Sequence, residues 1–155
     1  MNQFRRTFIK LSAAAGAYAL TVGAGLLKTG EAFAAAWNKA GFESKAVADA
    51  LKNLGATSLI ESKDILITAP DIAENGAIVP VAVTSKIPNT QSISIIAEKN
   101  PFPLASTFDI SSGAESYVST RLKLGETSNV RAVVKADGKF YTAVKEVKVT
   151  IGGCG

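Results

Sequence analysis

A chain of 155 residues that is 47% hydrophobic and 19% charged has the profile of one globular domain, which excludes a disordered polymer. It contains no histidine and a single cysteine, Cys154, so histidine acid–base catalysis, histidine metal sites and an internal disulfide are all excluded. The formal charge of +4 falls to +1 if residues 1–34 are removed, because that segment carries Arg5, Arg6, Lys10 and Lys28 against Glu31. No basic run is left afterwards, which argues against a nucleic-acid partner.

The removal is expected from the N-terminus itself. Phe4-Arg5-Arg6-Thr7-Phe8-Ile9-Lys10 is a twin-arginine pattern, followed by a weakly apolar stretch from Leu11 to Leu27 and by Ala32-Phe33-Ala34. A basic region, an apolar region and a small-x-small site in that order describe a cleaved export signal. Arg5 and Arg6 mark the bacterial Tat route, which leads to the periplasm. The apolar stretch is short and broken by glycine for a retained membrane anchor. Residues 1–34 are therefore expected to leave, with the cut between Ala34 and Ala35 and no membrane attachment afterwards.

In the mature part, residues 35–151 read as one domain. Trp37 is expected to be a packing anchor rather than a platform for a ligand. Ser44 to Leu54 has a helical stripe of Val47, Ala50, Leu51 and Leu54. Ser44 suits its N-cap, Gly55 its C′ position, and Phe42 a staple onto the first turn. From there the period becomes that of strands: 64–69, 77–85, 91–97, 104–110, 115–123, 129–136 and 139–151. Pro80 lacks an N–H and places the second of these at an edge or a bulge. Asp137-Gly138 predicts a type I′ hairpin, and a phase slip is expected near Val144-Lys145. About seven strands after one short helix make an all-β, immunoglobulin-like antiparallel sandwich. No helical pattern recurs between the strands, which speaks against a parallel βαβ sheet.

Two loops invite a chemical reading. Asp71 and Glu74 in Pro70-Asp71-Ile72-Ala73-Glu74-Asn75-Gly76 form an acid/base or cation pair on one reading, but this composition marks a turn joining two strands. Asn100-Pro101-Phe102-Pro103-Leu104 is a rigid connection or, with the Pro80 strand, an edge for docking a partner. The sequence has no phosphate-binding glycine loop, no Ser/His/Asp set and no CxxC, so the body is expected to be inert and to hold no metal or cofactor of its own.

The remaining segment, 152–155, is Gly152-Gly153-Cys154-Gly155. Without Cβ atoms, Gly152, Gly153 and Gly155 make a thin, flexible tether for one sulfur. An incidental cysteine is the bland alternative, and glycines on both sides directly after a regular strand speak against it. Only about 3% of an unperturbed thiol is ionised at pH 7, yet that fraction is a strong nucleophile. In an oxidising compartment a leftover thiol implies reactivity or intermolecular pairing. A carrier of covalent cargo and an exported structural module using Cys154 for an intermolecular disulfide both remain open here.

These pieces together resemble the SoxY family, the sulfur-carrying subunits of the periplasmic thiosulfate-oxidising (Sox) system. The motifs are the Arg5-Arg6 signal, the 70–76 turn with Val79-Pro80-Val81, Asn100-Pro101-Phe102-Pro103-Leu104, Thr120-Arg121-Leu122-Lys123-Leu124-Gly125 with Thr127-Ser128-Asn129-Val130, and the 152–155 tail. The family's tail usually has one more glycine after the cysteine, a departure that bears on arm length and not on the thiol's position. The resemblance implies that Cys154 is the attachment point and that the protein is not itself an enzyme. It implies a heterodimer with a SoxZ-like β-sandwich and loading with thiosulfate by a SoxAX-like haem c enzyme, giving a cysteine S-thiosulfonate. It further implies release of sulfate by a SoxB-like dimanganese hydrolase and, in some organisms, oxidation of the remaining sulfur by a sulfane dehydrogenase.

Overall fold

Helix formation begins immediately after the first residues that the structure, a computed structural model, describes, namely 37–151. The expected signal at 1–34 with Arg5 and Arg6, and the tail with Gly152, Gly153, Cys154 and Gly155, lie outside the described residues. Trp37 is 71% exposed and does not fill the packing role expected of it. Helix α1 spans Lys39–Phe42, with the Asn38 side chain accepting from the Gly41 N–H at 2.9 Å. Helix α2 spans Val47–Asn53 and starts at Ala46, not Ser44. The Ser44 hydroxyl donates instead to the Ala40 carbonyl at 2.8 Å and accepts from Asn53 Nδ2 at 3.0 Å. A nearer carbonyl thus captures the expected cap and ties the two helices together. Gly55 does end α2 at φ +78; Phe42, the last residue of α1, packs against the cluster containing Ala50, but with the cap at Ala46 it does not stand at the staple position expected of it.

All seven expected strands form, and two short ones join them. In order they are β1 (Leu59–Glu61), β2 (Ile65–Thr68), β3 (Ile72–Ala73), β4 (Val79–Ser85), β5 (Thr90–Ala97), β6 (Leu104–Asp109), β7 (Tyr117–Leu122), β8 (Ser128–Ala136) and β9 (Lys139–Val149). One sheet has the order β1-β9-β8-β5-β6, with β3 also on β9, and the other has the order β2-β4-β7. The sandwich is antiparallel except at β9, where β1 and β3 pair in parallel.

The core lies between the sheets, with Val79, Val81 and Val83 of β4 clustered with Ile93 and Ile95 of β5 and Val130 and Val134 of β8. A second cluster covers the far face of the large sheet, where Ile96, Leu104 and Val133 meet Ala50, Leu51 and Leu54. β5 is covered on both sides, which is why Ile95, Ile96 and Ala97 can be apolar in succession. Each such Val or Ile contributes about 1.5–3 kcal/mol by leaving water.

Two expectations change. Pro80 belongs to the middle strand of the small sheet, but pairing with β2 stops at Ala82, so the proline sits where one side of β4 is locally an edge. No phase slip occurs at Val144-Lys145: β9 keeps one register with β8 from Lys139 to Val147. Lys145 therefore shares the core-facing row with Ala143 and Val147. Its ammonium escapes to the margin, 3.0 Å from the Asp71 carboxylate. Asp137 (φ 49) and Gly138 (φ 73) close Ala136 onto Lys139 as the type I′ turn requires.

Candidate functional site

β9 delivers the chain to Thr150 and Ile151, the last described residue. Two residues, Gly152 and Gly153, separate Ile151 from Cys154, and the three residue steps give a contour of at most about 10 Å. The environment of Ile151 is thus the last described support of the chain before Cys154.

That support is built by the segment read from sequence as a plain turn. β3 and the residues after it lie alongside the end of β9 as a strap. Asp71 O accepts from Lys148 N–H at 2.9 Å, Ala73 O accepts from Thr150 N–H at 3.1 Å, and Gly76 N–H donates to Ile151 O at 2.8 Å. The Thr150 hydroxyl adds a bond to Glu74 O at 3.0 Å. From the other side, Thr127 Oγ1 accepts from Val149 N–H at 3.0 Å, and Leu124 N–H donates to Gly76 O at 2.7 Å. Each bond contributes about 1 kcal/mol net. Together they hold the last strand in register to Ile151. The Asn75 side chain accepts from Ala77 N–H at 2.8 Å and shapes the turn that brings Gly76 into place.

The Asn100–Leu104 loop joins β5 to β6 at this same end. Asn100 Nδ2 donates to Lys123 O at 2.7 Å, coupling the loop to the segment that touches Gly76. Pro103 is fully buried and Leu104 nearly so, whereas Phe102 is 51% exposed. Beside it, Glu98 accepts from Arg131 Nε at 2.8 Å, pairs with Arg131 Nη2 at 2.7 Å, and accepts from Asn129 Nδ2 at 3.0 Å.

The two carboxylates weighed as an acid/base pair do not act as one here. Asp71 is engaged by Lys145, and Glu74 contributes its backbone carbonyl to the strap. Among the described residues, no three Asp, Glu, Cys or His side chains gather as a metal site would require. A recess of about 430 Å³ lined by Glu61, Ser62, Lys63, Thr142, Ala143 and Val144 lies between β1 and β9, seven or more strand residues back from Ile151 and so roughly 23 Å away. What the described residues supply at this end is anchoring. The roles of Thr150, Gly76, Asp71 and Leu124 in it escaped sequence reasoning, since a two-residue strand has no period to detect. The Pro-Asp and Asn-Gly pairs marked only where the chain turns.

A family model described as "Sulfur oxidation protein SoxY" matches residues 51–154, a span that includes Cys154. Among solved structures, the sulfur carrier protein SoxY from Chlorobium limicola f thiosulfatophilum is 44% identical. The match covers 65% of this chain and 92% of that one, with a TM-score of 0.60. A superoxide reductase (neelaredoxin) from Ignicoccus hospitalis is 24% identical over 55% of this chain and 78% of that one, with a TM-score of 0.49, too distant to bear on chemistry. No curated protein matches the chain significantly.

Proposed function

Because this chain belongs to the SoxY family of sulfur oxidation proteins, we propose that it carries sulfur as a covalent adduct on Cys154, with Gly152, Gly153 and Gly155 as the tether. The observation that carries this reading is that the family match extends through Cys154, the chain's only cysteine. The anchored strand end at Ile151 supports it, because a tether is useful only if its base is held.

The chemistry balances as follows. The Cys154 sulfur and the outer sulfur of thiosulfate form an S–S bond. A proton leaves the thiol, and two electrons pass to a haem c enzyme of SoxAX type. Water then attacks the sulfone sulfur at a SoxB-like dimanganese hydrolase, the bond from that sulfur to the carried sulfur breaks, and sulfate leaves. Cys154 keeps a persulfide, which a sulfane dehydrogenase can oxidise further. The protein itself is a carrier in these steps, and the redox and metal groups belong to its partners. A SoxZ-like β-sandwich is its constant companion. The Arg5-Arg6 signal sends it to the periplasm by the Tat route.

Mass spectrometry of the protein from thiosulfate-grown cells tests this. The C-terminal peptide should carry S–SO3 or persulfide mass on Cys154, and Cys154→Ser should abolish it while retaining the companion subunit. A bare Cys154 in cells actively oxidising thiosulfate, or a constant stoichiometric disulfide dimer under all growth conditions, refutes the carrier reading.

A further inference from the structure

We propose that Asn75-Gly76 is a self-modification site: a side-chain amide primed to close on its own backbone and lose ammonia, held in check by the bond between Gly76 and the end of β9. The chemistry at Asn75 is independent of the carrier reading; only its consequence for the tether of Cys154 rests on that reading.

Asn75-Gly76 is the only Asn-Gly pair in the chain. Glycine has no Cβ to keep its nitrogen away from the preceding side chain, so the Gly76 nitrogen can approach Asn75 Cγ. Two hydrogen bonds pull this reaction in opposite directions. Asn75 Oδ1 accepts from the Ala77 N–H at 2.8 Å. That donor draws electrons from Cγ and is in place to bind the oxyanion that attack at Cγ creates. The Gly76 N–H must give up its proton before the nitrogen can attack, yet it is committed to Ile151 O at 2.8 Å. Asn75 is exposed to water and base, whereas Gly76 is buried. The electrophile is prepared and the nucleophile is blocked.

The block is weaker than the rest of the fold. Val149 is the last residue of β9 that packs on the core. Beyond it, Thr150 and Ile151 are held to the strap by three bonds: Thr150 N–H to Ala73 O, Thr150 Oγ1 to Glu74 O, and Gly76 N–H to Ile151 O. The Ile151 side chain is 67% exposed and adds little. A strand end with few apolar contacts opens locally, without global unfolding. Each opening bares the Gly76 N–H.

Base then removes the Gly76 proton, the nitrogen bonds to Cγ, and the Cγ–NH2 bond breaks. Ammonia leaves and a succinimide remains. Water opens the ring at one carbonyl or the other, giving aspartate or isoaspartate, and no electrons are transferred. The succinimide nitrogen has no hydrogen to offer Ile151. Isoaspartate adds a methylene to the main chain and shifts the Gly76 N–H out of register with Ile151 O. The change is one-way, and in both forms it loosens the strand that leads to Cys154.

The test holds the whole chain, Thr150→Pro (which lacks both Thr150 donors) and Thr150→Val (which lacks only the hydroxyl) at mildly alkaline pH, beside the parent chain in concentrated urea. Circular dichroism checks that each variant is folded. Trypsin releases peptide 64–86, and mass spectrometry with chromatography that separates isoaspartate times its conversion. Asn75 should convert at least about tenfold faster in urea than in the native protein. Conversion should rise about tenfold in Thr150→Pro and about fivefold in Thr150→Val, the shifts in opening expected from losing two bonds and one. Isoaspartate-bearing protein, separated by its added charge, should exchange the Thr150 amide with deuterium at least about fivefold faster. A native rate equal to that in urea overturns the proposal, as does a parent rate in folded Thr150→Pro whose Gly76 amide exchanges freely. If Thr150→Pro does not fold, an unchanged rate in Thr150→Val overturns it. None of these readouts involves Cys154, so their failure leaves the carrier reading intact, and a bare Cys154 in cells leaves the modification standing.

Discussion

Leu124 lies between β7 and β8, outside any strand, yet it is 0% exposed and belongs to the inter-sheet core. Its N–H donates to Gly76 O at 2.7 Å, so its backbone is held by the strap that supports Ile151. Leu124→Ala removes three buried carbons at a point where the backbone cannot move inward without breaking that bond. The cavity should persist, and the cost should lie near the middle of the usual Leu→Ala range, about 3.5 kcal/mol. For a domain of this size about 4 °C accompanies each kcal/mol, so the thermal midpoint should drop by about 14 °C. Far-UV circular dichroism melts and urea titration should agree on the loss. Leu124→Met, which conserves volume, should cost less than about 1.5 kcal/mol. A drop below about 4 °C for Leu124→Ala would mean that this loop leucine closes no core and that the strap is not supported from beneath.

Two further outcomes follow from the charges. Glu98→Ala should cost about 1–2 kcal/mol by urea titration, because Arg131 loses its carboxylate in a site where its side chain is only 24% exposed and solvent screens it incompletely. Adding Arg131→Ala should then cost less than the sum of the two single changes; strict additivity would show that the pair is not coupled. Lys145→Met should change stability by less than about 1 kcal/mol, since Asp71 is 90% exposed and hydrates readily once unpaired. A loss above about 2 kcal/mol in that titration would show that the ammonium, not its hydrocarbon stem, is what the core margin needs.

The long strands and the singularity of the cysteine were open to reading before any coordinates. β4, β5, β8 and β9 carry enough alternating or continuous apolar residues for a period to emerge, and Asp137-Gly138 has a backbone preference that only a tight hairpin uses. Cys154 stood out by composition, and the ordered motifs carried the family. Ser44 shows where this reasoning fails. Its preference for capping is real, but its hydroxyl bonds back to the Ala40 carbonyl four residues earlier, a local competitor that the capping rule alone does not weigh. The slip expected at Val144-Lys145 arose because a lysine broke the apolar row, whereas a long stem allows a charge to leave a core row without altering the register.

Local side-chain order along the chain determined which residues face inward, which segments extend and where the chain reverses, because those depend on periodicity and turn preference over a few residues. Tertiary structure alone decided that Leu59–Glu61 and Ile72–Ala73 run parallel to β9, that Pro80 lies beyond the last β2 partner, and that the strap, Leu124 and Thr127 together hold the strand that leads to Cys154. Those contacts join residues roughly twenty to eighty positions apart. Two or three residues carry too little pattern to name a distant partner, and only the packed sheets bring that partner within hydrogen-bonding distance.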